Sequence, residues 1–427
     1  MTEEQIASLA PEFTGYLEAY RPYFATAEGF AQAKIYTRGL ISDLQRKSVE
    51  PIALAAGAAV RTLQEFLTSH VWDHDGVRNK LQRRVVARHL PAPGTADEPD
   101  ALGVIGIVDE TSAVKKGTHT PGVQRQWAGC VGKKENCIVT VHLGCLHGSF
   151  KTLLDSDLFL PESWSDDRDR CRDVGIPDTL VYRPKWKIAA EQIQRAMANG
   201  VRFDWITFDE GYGSKNPFLF ELDGLGQTWI GEVPINFLCW PTLPHYRSLQ
   251  APFAAKRVDN VATYSPVFRK KKWHRIGLAH QTEKPAVWLA KAARVHIVQD
   301  GKPSERKYWL IVAKNAKTGE VKYFISNAPP KTALKLLVRV AFQRWNVEHT
   351  FRVAKSEIGF THYEGRTYRG LMRHMTLCMV VMLFLAEQVN RLRGEKSAGP
   401  GGADAGANGG GVQRPVPALA DAATRAN

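Results

Sequence analysis

Between Leu17 and His89 apolar residues recur at i, i+3, i+4 and i+7, as in LISDLQR and AVRTLQEFL, which predicts an all-helical region over residues 1–97. Residues 90–100, LPAPGTADEPD, hold three prolines, a glycine and several acids, and predict a linker with a domain boundary near residue 98. Beyond it the pattern shortens to β-branched runs. LGVIGIVDET, QRQWAGCV and CIVTVHLGCL predict three successive strands of an antiparallel meander, with GKKEN as a turn. A helix is predicted around Lys187 to Asn199, ended by Gly200, and then another strand, FDWITFDEG. Residues 239–330 alternate through ARVHIVQ, KYWLIVAK and VKYFISN and predict a β-rich insertion. Helical periodicity returns over 331–358, and a last apolar helix is predicted from about Leu371 to Leu392. The Gly, Ala, Pro and Asn of residues 394–427 cannot build a core and predict a disordered tail. The fold class is therefore α/β, a mixed-sheet domain in two parts (98–238 and 331–393) around the insertion, preceded by helices.

Composition narrows the function. Lys and Arg number 57 against 43 Asp and Glu, a net charge of +14, so the field of the chain attracts a polyanion. The run Met375 to Ala386 is too short for a bilayer of about 30 Å and reads as a buried helix. No export signal marks the amino terminus, and the six cysteines form no CxxC pair or zinc spacing, which fits a reducing cytoplasm. The 13 histidines show no HExxH pattern.

Two predicted strands end in acids, Asp109-Glu110 and Asp209-Glu210, at the sheet edge where ligands collect. On spacing alone each Asp reads equally well as a turn-starting residue satisfied by backbone N–H groups. Alternation along a strand turns Glu110 and Glu210 away from their neighbours. In RWNVEHTFRVAKSEIGF, Arg344, Glu348 and Lys355 fall within about 40° on one helix face, either an exposed ion-pair row or a carboxylate set between two cations for a purpose. The acids of DSDLFLPESWSDD, among them Asp155, Glu162, Asp166 and Asp167, read as a solvated loop, because no apolar strand is evident to gather them.

These motifs, in this order, resemble the DDE transposases of bacterial insertion sequences, with the nearest likeness to the insertion sequence 701 family. The likeness is carried by GIVDETSAVKKG, QRQWAGCVGKKENC, LFLPESWSDD, YRPKWKIA, FDEGYG and RWNVEHTFRVAKSEIGFTHYEGRTYRGLMRHMTL, spread over residues 15–390. The resemblance implies an RNase H-like fold, an amino-terminal domain that binds DNA ends, and Asp109, Asp209 and Glu348 as catalytic and metal ligands. Related enzymes often carry Tyr three residues before the motif arginine; here Ala341 stands there, which removes any phosphate contact from that position.

Two hard cations about 4 Å apart stabilise both the attacking and leaving oxygens of a phosphodiester, and carboxylates suit Mg²⁺, with Mn²⁺ as a substitute. The expectation is that Asp109 bridges two ions while Asp209 and Glu348 hold one each. The partners implied are double-stranded DNA, as terminal inverted repeats and target, and a second copy of the chain on that DNA, with no membrane. Arg344 and Lys355 are expected to bind flanking phosphates. Residues 331–393 carry 11 Lys/Arg against 4 Asp/Glu, and Arg366, Arg369 and Arg373 extend this basic surface. Arg269, Lys270, Lys271, Lys272 and Trp273 form a second basic cluster expected to touch DNA. Lys185 is placed for either DNA or the acids, or for solvent. By resemblance one of Trp273, Trp288, Trp309 and Tyr308 stacks on an extruded base; the plain alternative is that they fill a β core. The alternative functions are a non-catalytic DNA-binding regulator and a nuclease of the same fold without strand transfer.

Overall fold

The computed structural model describes residues 3–92, 101–243, 254–278 and 286–397, without the side chains of 3–7, 346–349, 351 and 393–397. Most of the linker predicted at 90–100 and nearly all of the tail predicted at 394–427 lie outside the described residues.

β1 (Val104–Val114), β2 (Gln124–Ala128), β3 (Lys133–His147) and β4 (Phe150–Leu158) are antiparallel neighbours, β2 and β4 sharing one edge of β3. β5 (Trp205–Phe208) then pairs parallel to β1, and β6 (Trp229–Val233) parallel to β5. The order β4-β3-β1-β5-β6, three antiparallel strands followed by two parallel ones, is the RNase H-like sheet. The helix Lys185–Ala198 makes the crossover from β4 to β5 and packs its apolar face, Ile188, Ala189, Ile193 and Ala196, onto β3 and β4.

The β-rich stretch does not form a sheet of its own. It supplies β7 (Leu238–Trp240), β8 (Lys256–Arg257), β9 (His274–Leu278), β10 (Ala286–Gln299), β11 (Lys302–Pro303), β12 (Tyr308–Asn315) and β13 (Val321–Ser326). β13 pairs antiparallel with β6 and passes the ladder on to β12 and β10, so these strands continue the central sheet. An edge strand such as β6 presents unpaired backbone groups, and β13 satisfies them.

The segment read as a solvated loop corrects one expectation. Asp155 and Asp157 lie in β4, buried, and only Glu162, Asp166 and Asp167 beyond it are exposed. Asp155 accepts from Arg195 Nε at 2.9 Å, with Arg78 Nε at 3.9 Å and Gln82 Nε2 at 3.5 Å. Asp157 faces Arg183 at 3.3 Å and Arg195 at 3.6 Å. Period two puts both acids on one face of the strand, where three arginines from neighbouring elements compensate their charge.

Five amino-terminal helices, Glu3–Glu18, Ala27–Ile41, Val49–Ala55, Val60–Thr68 and His74–His89, surround the long helix Tyr368–Ser397. Thr26 and Asp73 cap two of them, accepting from Gly29 N at 3.0 Å and Gly76 N at 2.9 Å. The long helix is apolar enough by composition to cross a membrane, yet its most apolar window is 83 % buried inside the protein. One side lies on β4 and the other on the amino-terminal helices. Tyr16 donates to Val380 O at 2.8 Å, Tyr36 Oη meets His374 Nδ1 at 2.9 Å, and Arg84 grips Glu387 with two bonds of 2.7 Å. Helices and sheet therefore share one continuous hydrophobic core.

Arg373, expected to touch DNA, belongs to that core. It is 3 % exposed and donates to the carbonyls of Phe66, Leu67 and Trp72, at 3.3, 3.1 and 2.9 Å, with its guanidinium over the Trp72 ring. An always-charged fork suits three carbonyls gathered where the helix Val60–Thr68 ends and the chain turns towards the next helix. Arg373→Ala removes this donor from Leu67 O and Trp72 O, Phe66 O keeping the Trp72 indole N–H, and is expected to lower the unfolding free energy by about 3 kcal/mol in urea titrations. Unchanged stability would refute this docking role.

Candidate active site

In the parallel pair β1–β5, Val108 stands opposite Phe208. One residue further, Asp109 and Asp209 follow in the same register, and parallel neighbours in register direct their side chains to the same face. Local hydrogen bonds fix both carboxylates. Asp109 Oδ1 accepts from Glu110 N at 2.7 Å, and Asp209 Oδ1 accepts from Tyr212 N at 3.2 Å, capping the turn Glu210–Gly213.

The second glycine of DEGYG has a steric cause. A Cβ on Gly213 would lie 1.9 Å from the carbonyl oxygen of Glu232, so only glycine lets this turn lie against β6. Gly231 on β6 similarly leaves room for the Phe208 ring, which a Cβ would meet at 1.9 Å. The turn after Asp209 is thereby clamped between its own strand and the next.

Burial raises the Asp109 carboxyl, the nearby Asp209 raises it further, and the result is about 7 despite the bond from Glu110 N and the opposing Arg344. Two carboxylates sharing a dry site cannot both ionise without a compensating cation. All the donors at this pair are oxygen, the chemistry that Mg²⁺ or Mn²⁺ prefers.

The helix Trp345–Glu357 packs against β1 and β4 and delivers the remaining groups. At its start, Arg344 reaches both Asp109 Oδ2 and Glu232 Oε2 at 4.0 Å. Near its end, burial lowers the Lys355 ammonium, while Cys130 and Asp109 act in the opposite sense. Two cations of one helix face thus act on Asp109. Glu348 belongs to the same helix between them, but its side chain lies outside the described residues. Among the described residues no group of three or more His, Cys, Asp or Glu gathers at one point.

The other anticipated residues divide. Lys185 opens the crossover helix and binds Glu110, with Nζ 2.9 and 2.8 Å from the two carboxylate oxygens. Arg366 and Arg369 are exposed, as are Arg269, Lys270, Lys271 and Lys272. Trp273 is 43 % exposed, with the Lys291 ammonium 4.6 Å from its ring centre. Trp288 and Tyr308 are core residues, the plain alternative to stacking: Trp288 packs on Phe342 and Trp345, and Tyr308 donates to Asp223. Trp309 is anchored through Nε1 to Pro329 O at 3.1 Å. Ala341 is buried, so its position offers no group to a phosphate.

Two neighbours escaped the reading of the sequence. Glu232, the one acid in the strand WIGEV, accepts from Lys322 at 2.6 Å and faces Arg344. Tyr212 is buried beside Asp109, Asp209 and Glu110, and its hydroxyl has no hydrogen-bond partner among the described residues. Its place inside DEGYG was the available signal.

A carboxyl that titrates near about 4 in an unfolded chain and at about 7 here holds its proton more tightly when folded. The metal-free protein therefore loses stability as pH rises from about 4 to about 7. Asp109→Asn is expected to remove that slope and to raise metal-free stability near about pH 8 by up to about 4 kcal/mol, read from urea unfolding in a chelator. An unchanged slope would mean that Asp109 is not the strained carboxyl.

Residues 19–285 match the family model of the DDE superfamily endonucleases, a span that contains Asp109 and Asp209. The chain is also 26% identical over 359 residues, 83% of its own length and 81% of the relative's, to a probable transposase for insertion sequence element IS701 from Microchaete diplosiphon. With its RNase H-like sheet and paired strand-end aspartates, the chain belongs to the DDE superfamily endonucleases.

Proposed function

We propose that this protein is the transposase of an insertion sequence, cutting DNA at the element's ends and joining the freed 3′ ends to target DNA. The observation that carries the reading is the burial of Asp109 beside Asp209, with Arg344 and Lys355 of one helix acting on the same carboxylate. Asp109, Asp209 and Glu348 would hold two divalent cations, Mg²⁺ or Mn²⁺. When bound, these supply charge neutralisation at the attacking and leaving oxygens of the phosphodiester.

The chain's own residues prepare the site. The strand pairing orients Asp109 and Asp209 before substrate arrives, which limits the reorganisation needed at the reaction. Arg344 and Lys355 attract the phosphates beside the scissile bond and hold the backbone in line. Lys185 neutralises Glu110 and leaves the two aspartates as the available donors. In the first step water attacks phosphorus and the leaving 3′ oxygen departs as a hydroxyl. In the second, that hydroxyl attacks a target phosphodiester, forming a new P–O bond and displacing the target's 3′ oxygen. Two element ends require two active sites, hence a dimer on the DNA. The reaction takes place in the cytoplasm, on the chromosome.

A duplex bearing the element's terminal inverted repeat tests this. Metal-dependent cutting and joining is expected, and Asp109→Asn, Asp209→Asn and Glu348→Gln should each reduce both by about 1,000-fold or more, with duplex binding retained. Cutting without joining would indicate a nuclease, and salt-sensitive binding without cutting a DNA-binding regulator. Wild-type cleavage by Asp109→Asn would end the assignment.

A further inference from the structure

Past Asp109, β1 runs on to Val114 and is followed by Lys115 and Lys116. Here two other parts of the chain approach it: the segment after the helix Ala27–Ile41, with Arg46, and residues 361–366, which lead from the catalytic helix to the long buried one. Together they line an open groove of about 800 Å³. Four cations, Arg46, Lys115, Lys116 and Arg366, face it with one acid, Glu364.

These charges are not all used up within the protein. Glu364 pairs with Arg46, and Lys115 donates to the carbonyls of Thr361, at 3.3 Å, and Tyr363, stitching two walls together. Lys116 and Arg366 are exposed, and neither has an ion pair or a side-chain hydrogen bond to another described residue. Burial and the neighbouring Arg46 push the Lys115 ammonium down to about 8, and burial with Arg46, Lys47 and Lys115 lowers His362. Like charges crowd this groove, and an anion placed in it relieves them all.

The lining selects the kind of anion. It holds Thr118, Thr120 and Thr361 as hydroxyl donors and no Phe, Tyr or Trp ring, its only rings being the imidazoles of His119 and His362, so its polar groups suit phosphates. Lys115 and Lys116 stand six and seven residues along the chain from Asp109, the first five of them within β1, roughly 20 Å at about 3.3 Å per residue. At about 3.4 Å per nucleotide, that reach corresponds to roughly six nucleotides.

We propose that this groove binds the phosphodiester backbone of duplex DNA about six nucleotides from the bond to be cut, with Lys116 and Arg366 contacting the phosphates. The inference rests on the reading of DNA as the substrate. The groove then acts in positioning, because a duplex held there by Lys116 and the 361–366 segment is registered against Asp109 without its sequence being read.

The test measures binding of the terminal-repeat duplex to the full chain across salt concentrations, with ethylation interference to locate the contacted phosphates. Lys116→Ala combined with Arg366→Ala should reduce the slope of log affinity against log salt by about 2, at about 0.9 per phosphate, and erase interference five to seven nucleotides from the cleaved bond. Lys116→Arg with Arg366→Lys keeps both charges and should restore the slope, which separates contact from a folding defect. A wild-type chain that binds and cuts the duplex, with slope and interference unchanged in the double alanine variant, overturns the groove alone. A wild-type chain with no affinity for duplex DNA overturns the groove together with the transposase reading.

Discussion

The site depends on one electrostatic conflict: two carboxylates, each only partly exposed, held side by side at the end of a parallel strand pair. Backbone pairing between β1 and β5 imposes this, since Val108 against Phe208 fixes where Asp109 and Asp209 must emerge. Burial first, and the neighbouring Asp209 after it, raise the Asp109 carboxyl. The conflict is tolerated because the surroundings are rigid: the turn after Asp209 is wedged against β6 by Gly213, and Arg344 bridges towards Asp109 and Glu232. A site strained in this way has a standing affinity for positive charge, which is what a cation-dependent nuclease requires.

Rigidity at the acids extends into the rest of the molecule. The crossover helix provides Lys185 for Glu110 at one end and Arg195 for Asp155 and Asp157 near the other. Through Gln82, which donates to Leu154 O at 3.0 Å, the last amino-terminal helix is attached to the same strand. The amino-terminal helices, expected as a separate module, are thus fastened to the catalytic sheet by buried polar contacts as well as by the shared core. Displacing them would expose charge as well as apolar surface.

The elements that announce themselves in the sequence obey simple periodicity. β1, β5, the crossover helix and the helix of Glu348 are visible as apolar runs or repeats, and the strand-end acids of β1 and β5 mark the site. The elements that hide are those in which charge replaces apolar packing. β4 carries two buried acids and so looks like a loop, and Arg373 looks like a surface cation because its acceptors are carbonyls from residues about 300 positions away. Trp288 and Tyr308 could be assigned to the core only once their strands, β10 and β12, were joined through β13 to β6. Glu232 approaches Arg344 through sheet order, which no local spacing encodes.

The long helix Tyr368–Ser397 has a bearing on when the protein acquires its shape. It is made after both aspartates and after every strand, yet it is the element around which the first five helices assemble. While a ribosome is still delivering residues before about position 368, the aromatic cluster of Tyr16, Tyr36 and Phe66 lacks the surface that it will cover. The contact between Tyr16 and Val380 closes a loop of well over 300 residues. A chain stopped before about residue 368 would carry both aspartates and the strands that pair them, but not the helix on which β4 and the amino-terminal helices pack.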